Sequence, residues 1–143
     1  MKRIDFNNHR YFIYLLIFYL IISFPFLGQI HLFDWDEINF AEAAREMLAA
    51  GDWFNVQINF EPFWEKPPLF IWVQALFMTI FGVNEFAARF PNVIIGLLTL
   101  VAIYRNVNKR YGGNASIYST LLYIGSFTPY FYFNTGIIDP LFN

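Results

Sequence analysis

Residues 11–28 read YFIYLLIFYLIISFPFLG, eighteen positions without a charge. As a helix rising about 1.5 Å per residue, this run measures roughly 27 Å, enough to cross most of a bilayer core. Its flanks set its direction. Lys2, Arg3 and Arg10 lie before or at its start, and Asp34, Asp36 and Glu37 follow it. The positive-inside bias therefore puts the N-terminus in the cytoplasm and the acidic stretch outside. A cleaved signal peptide competes with this reading, but the apolar run is long and no small-x-small cleavage site follows it.

The composition points the same way. Of 143 residues, 57% are hydrophobic, 22% aromatic and only 14% charged, with nineteen Phe and nine Tyr. A soluble domain this small has too little interior to hide so many rings, so lipid must cover some of them. With no cysteine, any chemistry falls to carboxylates, Lys, His or hydroxyls, and the redox compartment is unreadable. The net charge of −2 conceals a segregation. Nine of the eleven acids lie between Asp34 and Glu85, and six of the nine bases lie in two clusters, Lys2/Arg3/Arg10 and Arg105/Lys109/Arg110. The bases do not interleave with aromatics, which excludes a nucleic-acid partner. His9 and His31 show no ligand spacing and take no role, and no P-loop, dinucleotide fingerprint or Ser-His-Asp arrangement is present.

Beyond the first span, Ile38 to Ala50 places Ile38, Ala41, Met47 and Leu48 on one face and Glu42, Arg45 and Glu46 on another. This predicts a short amphipathic helix along the membrane surface. Asp34 or Asp36 caps it, Asp34-x-x-Glu37 has capping-box character, and Gly51 ends it. Pro68 to Gly82 is apolar but only about fifteen residues long, so a juxtamembrane helix competes with a full span. Charge decides: if it crossed, Arg105, Lys109 and Arg110 would fall outside. Three spans result, at 11–28, at 91–106 (Pro91 to Tyr104 with a neighbouring turn) and at 115–133, with an outer loop over 29–89. The fold class predicted is an all-α integral membrane protein with juxtamembrane helices in a large first outer loop. The ending IIDPLFN, where another apolar segment starts, predicts a fragment of a larger multi-spanning protein.

Three groups of residues are chemically suggestive. One carboxylate suffices to cap a helix, so Asp36 and Glu37 are surplus beside Asp34; surplus carboxylates at a membrane surface suit a general base or a cation ligand. In WEKPPL, residues 64–69, Lys66 precedes a helix N-terminus, where a cation opposes the dipole unless an anion such as phosphate occupies the site. Pairing of Glu65 with Lys66, or snorkelling of Lys66, is the competing explanation. Asp139 before Pro140 reads alone as a turn residue, but the topology brings it to the face of Asp36 and Lys66. Two acids and a lysine at one cavity suit transfer from a phosphorylated donor.

Four ordered stretches, DWDEINFAEAAREMLAAGDW, FEPFWEKPPLFIW, FGVNEFAARFP and TGIIDPLF, resemble successive N-terminal motifs of GT-C glycosyltransferases that use polyprenyl-phosphate sugars. The nearest group is similar to the aminoarabinose lipid A transferases and the bacterial dolichyl-phosphate-mannose protein mannosyltransferase superfamily. The resemblance runs from about His31 to the end. It implies a fragment of a larger multi-spanning GT-C fold that carries out inverting transfer of a hexosyl or pentosyl group from an undecaprenyl-phosphate-type donor to a lipid or protein acceptor. The site would face the periplasm of a bacterial inner membrane. The resemblance also implies catalytic roles for Asp36, Glu37 and Asp139, a donor-phosphate role for Lys66, a structural role for Arg45, and a divalent metal site to which Glu65 can contribute. Many relatives have Arg-Tyr after the acidic pair where this chain has Asn39-Phe40, which predicts altered substrate contacts. The competing function is a noncatalytic membrane module that binds lipid phosphate or partner helices; a Ca²⁺-binding loop is weaker, since no dense oxygen-ligand loop is present.

Overall fold

The computed structural model describes residues 6–142, so Lys2 and Arg3 lie outside the described residues. The elements run α1 Phe6–Ser23, a 3-10 turn Phe24–Phe26, α2 Asp36–Ala50, β1 Gln57–Ile58, β2 Glu61–Pro62, α3 Leu69–Phe81, α4 Glu85–Tyr111, α5 Gly113–Ile124, α6 Phe127–Phe133 and α7 Asp139–Phe142. The chain is mostly helical, as expected, and adds one short hairpin, β1 and β2, which pair antiparallel with Gln57 opposite Pro62. Their connection, Asn59-Phe60, has φ of 57° and 60°, the left-handed pair that a two-residue hairpin turn demands.

Local signals place most boundaries. Gly51 ends α2 in the left-handed conformation, φ 68°. Pro25 has no N–H to donate to the preceding turn, and α1 gives way there to the 3-10 turn rather than continuing to residue 28. The span expected over 91–106 begins at Glu85 and runs to Tyr111, with Pro91 inside it. Asn84 is the reason: its side chain accepts the Ala87 amide at 2.8 Å and starts the helix ahead of the proline. The expected helix over 115–133 is two, parted at Gly125-Ser126. Pro129, in the first turn of α6, cannot bond the Gly125 carbonyl four residues back, so the break falls there. Among the described residues, α4 is the one helix long and apolar enough to cross a membrane by itself.

Packing divides into two cores. In the first, Phe40, Ala43, Ala44 and Met47 of α2 meet Phe70, Ile71, Ala75 and Met78 of α3 and Ala87 and Ala88 of α4. In the second, Tyr19 and Leu27 meet Val93 and Leu100 of α4, Ile124 of α5 and Phe133 of α6. Gly96 permits this second contact, since a Cβ there would collide with the Tyr19 hydroxyl and the Phe133 ring. Gly96→Leu is expected to cost about 1–3 kcal/mol through overpacking, read as a lower unfolding midpoint in detergent; an unchanged midpoint would contradict the tight crossing.

The buried face of α2 differs from the expected one. Ile38 is exposed, whereas Glu46 is buried. Periodicity misplaces Glu46 because its carboxylate finds a distant donor, the Phe60 amide at the hairpin turn, at 2.8 Å. Arg45 forms a two-pronged pair with Glu42, helped by Glu46 at 3.8 Å, consistent with the structural role expected of it. The hydrogen bonds from Arg45 hold the Glu42 carboxyl below its usual range. Asp52 is likewise lowered, first by the Asn55 side chain and then by the Phe54 and Asn55 amides that it caps.

Candidate active site

The acids that open α2 separate according to the side of the helix they occupy. Asp34 does not cap it: Trp35 holds the cap position at φ 73° with no side-chain cap bond. Asp34 and Asp36 are exposed, and Asp36, as the first residue of α2, lies where a carboxylate complements the helix dipole. Glu37 turns inward. Its carboxylate takes the Phe33 amide at 2.7 Å, a reach-back related to the expected capping box but one residue further upstream.

The main partner of Glu37 is Arg89 on α4, whose Nε lies 2.7 Å from Oε1 and Nη2 3.0 Å from Oε2. Both side chains are at most 2% exposed. Arg89 also donates to the carbonyls of Leu27, Ile30 and His31 at 3.0, 2.7 and 3.0 Å, which uses all five guanidinium N–H groups. Glu37 accepts a further bond from the Gly136 amide. The expected catalytic role of Glu37 therefore meets a structural objection: its oxygens are buried and engaged by donors from three segments. Arg89 escaped the sequence reading, although an arginine inside an apolar helix signals a buried partner.

The bond from Gly136 has a second consequence, since it brings the segment leading into Asp139 against the start of α2. Asp139 is half-buried and lines a cleft of about 220 Å³ with Thr99, Tyr123, Thr128, Tyr132 and Phe133. Carboxylate, hydroxyls and rings together can hold a polar ring with apolar faces. No hydrogen bond or ion pair among the described residues joins Asp36 to Asp139 themselves; the link is between their neighbours, Glu37 and Gly136.

Lys66 is half-buried in the loop ahead of α3, and Glu65 is exposed. Pro68 takes the α3 cap position and offers no side-chain bond, and Phe70 and Ile71 in the first turn are fully buried. Among the described residues Glu65 and Lys66 form no ion pair with each other, which removes pairing, though not snorkelling, as an explanation for the lysine. No hydrogen bond or ion pair among the described residues joins Lys66 to Asp36 or Asp139. Among the described residues no three or more His, Asp or Glu side chains approach closely enough to hold a metal ion. Asn39 is half-buried and Phe40 is fully buried against Phe70, edge to face at 5.8 Å. The residue at 40 thus points into the core, not toward a substrate.

The profile of the dolichyl-phosphate-mannose-protein mannosyltransferase family matches residues 65–140, just over half of the chain. The chain belongs to this family. Its relatives include the undecaprenyl phosphate-alpha-4-amino-4-deoxy-L-arabinose arabinosyl transferases of Edwardsiella ictaluri, 32% identical over 90% of this chain and 23% of the relative, and of Photorhabdus laumondii, 30% identical over 92% and 24%. Two crystal structures of ArnT from Cupriavidus metallidurans superpose with a TM-score of 0.84: the apo form, 26% identical over 94% of this chain and 25% of that one, and the form bound to undecaprenyl phosphate, 27% identical over 90% and 24%. The chain thus spans about a quarter of the length of these family members.

Proposed function

We propose that this chain is part of a membrane glycosyltransferase that moves a sugar from a polyprenyl-phosphate donor to a lipid or protein acceptor. The observation that carries the reading is the Glu37–Gly136 bond, which draws the Asp36 and Asp139 segments together in a chain of this family. The solved relative bound to undecaprenyl phosphate supports the donor class.

In this reading α1, α4 and the α5–α6 pair cross the bilayer. The α4 helix carries Glu85 in its first turn and Lys109 and Arg110 in its last, and its 27 residues separate those ends by about 40 Å at 1.5 Å per residue. The acidic end faces the periplasm of a bacterial inner membrane and the basic end the cytoplasm.

The chemistry is one inverting displacement. Asp36 takes the acceptor hydroxyl proton as the acceptor oxygen bonds to the sugar's anomeric carbon. The bond from that carbon to the phosphate oxygen breaks, and the polyprenyl phosphate leaves with the electron pair. Lys66 stabilises the leaving phosphate, while Asp139 holds sugar or acceptor hydroxyls at its cleft.

In the longer protein that carries this segment, reconstituted with an undecaprenyl-phosphate-linked sugar, Asp36→Asn is expected to lower turnover by about 10²–10⁴. Lys66→Ala should lower it at least about tenfold. Undiminished transfer by both variants would overturn the assignment.

A further inference from the structure

Residues 134–138, between α6 and α7, form no regular element, yet Thr135 and Gly136 are buried. Buried backbone groups outside regular structure need partners, and three helices supply them. From α2, Glu37 accepts the Gly136 amide. From α3, Gln74 donates to the Gly136 carbonyl at 3.4 Å and to the Ala88 carbonyl at 2.9 Å. From α4, Asn92 donates to the carbonyls of Thr135 and Ile137 at 2.6 and 2.7 Å. The three side chains are 1%, 0% and 0% exposed. Gly136 leaves them room to close in, since a Cβ there would sit 3.1 Å from the Ala88 carbonyl oxygen and from Gln74 Nε2, and 3.3 Å from Glu37 Cγ.

The arrangement is anchored on the α2 side as well as on the 134–138 side. Arg89 fixes the Glu37 carboxylate by two bonds and ties it to the chain leaving α1 through the Leu27, Ile30 and His31 carbonyls. Asp36 immediately precedes Glu37, and Asp139 follows Gly136 by three positions. Glu37, held by Arg89, thus lies on the path that joins the segments of the exposed Asp36 and the half-buried Asp139.

We infer that Glu37 is a positioning residue, with Gln74 and Asn92 as its auxiliaries, that fixes the separation of Asp36 from Asp139; the inference rests on the catalytic reading of those two acids. Its charge serves to hold Arg89 and its length to reach Gly136. Glu37→Asp keeps the charge and withdraws the reach by one methylene. Asn92→Ala releases the same segment from the α4 side and leaves the Glu37–Arg89 pair in place.

The test has two arms. The chain lacks cysteine, so Asp34→Cys and Phe142→Cys, both at exposed positions, place one spin label on each side of the clasp. The dipolar distance distribution between them is expected to be narrow in the parent and shifted or broadened in Glu37→Asp and in Asn92→Ala, with helical circular dichroism unchanged. In the longer protein, both variants should lower kcat about tenfold to a hundredfold per folded molecule, the penalty of a displacement on the order of 1 Å, with the donor KM unchanged. A purely architectural residue would lower the folded yield and leave kcat per folded molecule intact. An unchanged distance distribution in both folded variants would overturn the inference. A shifted distribution with undiminished kcat would instead overturn the catalytic reading beneath it.

Discussion

Arg89→Met is expected to destabilise the chain by about 3–5 kcal/mol, the usual cost of removing one partner from a buried ion pair. Methionine fills much of the volume but offers no donor. Glu37 would keep its carboxylate at 1% exposure with two of its four hydrogen bonds gone. The carbonyls of Leu27, Ile30 and His31 would lose the guanidinium too. Reversible unfolding in mixed micelles, titrated with denaturing detergent, measures the loss. The double replacement Glu37→Leu with Arg89→Met is expected to be less destabilising than Arg89→Met alone, because it removes the uncompensated charge. A loss below about 1 kcal/mol for the single variant would mean that the pair is not desolvated as the structure shows.

Phe40→Ala is expected to cost a similar amount, about 3–5 kcal/mol for a fully enclosed phenyl ring. Phe40 is 0% exposed and stands edge-on to Phe70, where α2 lies on α3. Four positions earlier on the same helix is Asp36, so a cavity at residue 40 loosens the platform that presents that acid. Phe40→Tyr separates packing from chemistry. If residue 40 met a substrate, a restored hydroxyl would improve donor or acceptor KM. In the core the hydroxyl needs a partner and instead lowers the unfolding midpoint.

Local chemistry made several elements legible. Gly51 and Gly82 mark the ends of α2 and α3, and the apolar runs mark α1, α3 and α4. Glu85 opens α4, and Lys109 and Arg110 close it. Where local signals competed, the reading slipped. A proline at 91 resembled a helix start until Asn84 proved the stronger signal, and Pro129 broke an apolar run that hydropathy treats as continuous. At the site, spacing could not tell the exposed Asp36 from the buried Glu37 beside it.

The sequence by itself determined most of the helical segments, the separation of acids from bases along the chain, and the family. Those properties follow from neighbours within a few residues or from composition, and a linear pattern carries them. Only the tertiary structure decided that Glu37 and Glu46 face inward, that Arg89 is the partner of Glu37 across 52 positions, and that Gly136 completes the clasp across 99. A carboxylate is buried or exposed according to the donors that reach it, and here those donors arrive from helices whose contact exists only once α2, α3 and α4 have packed.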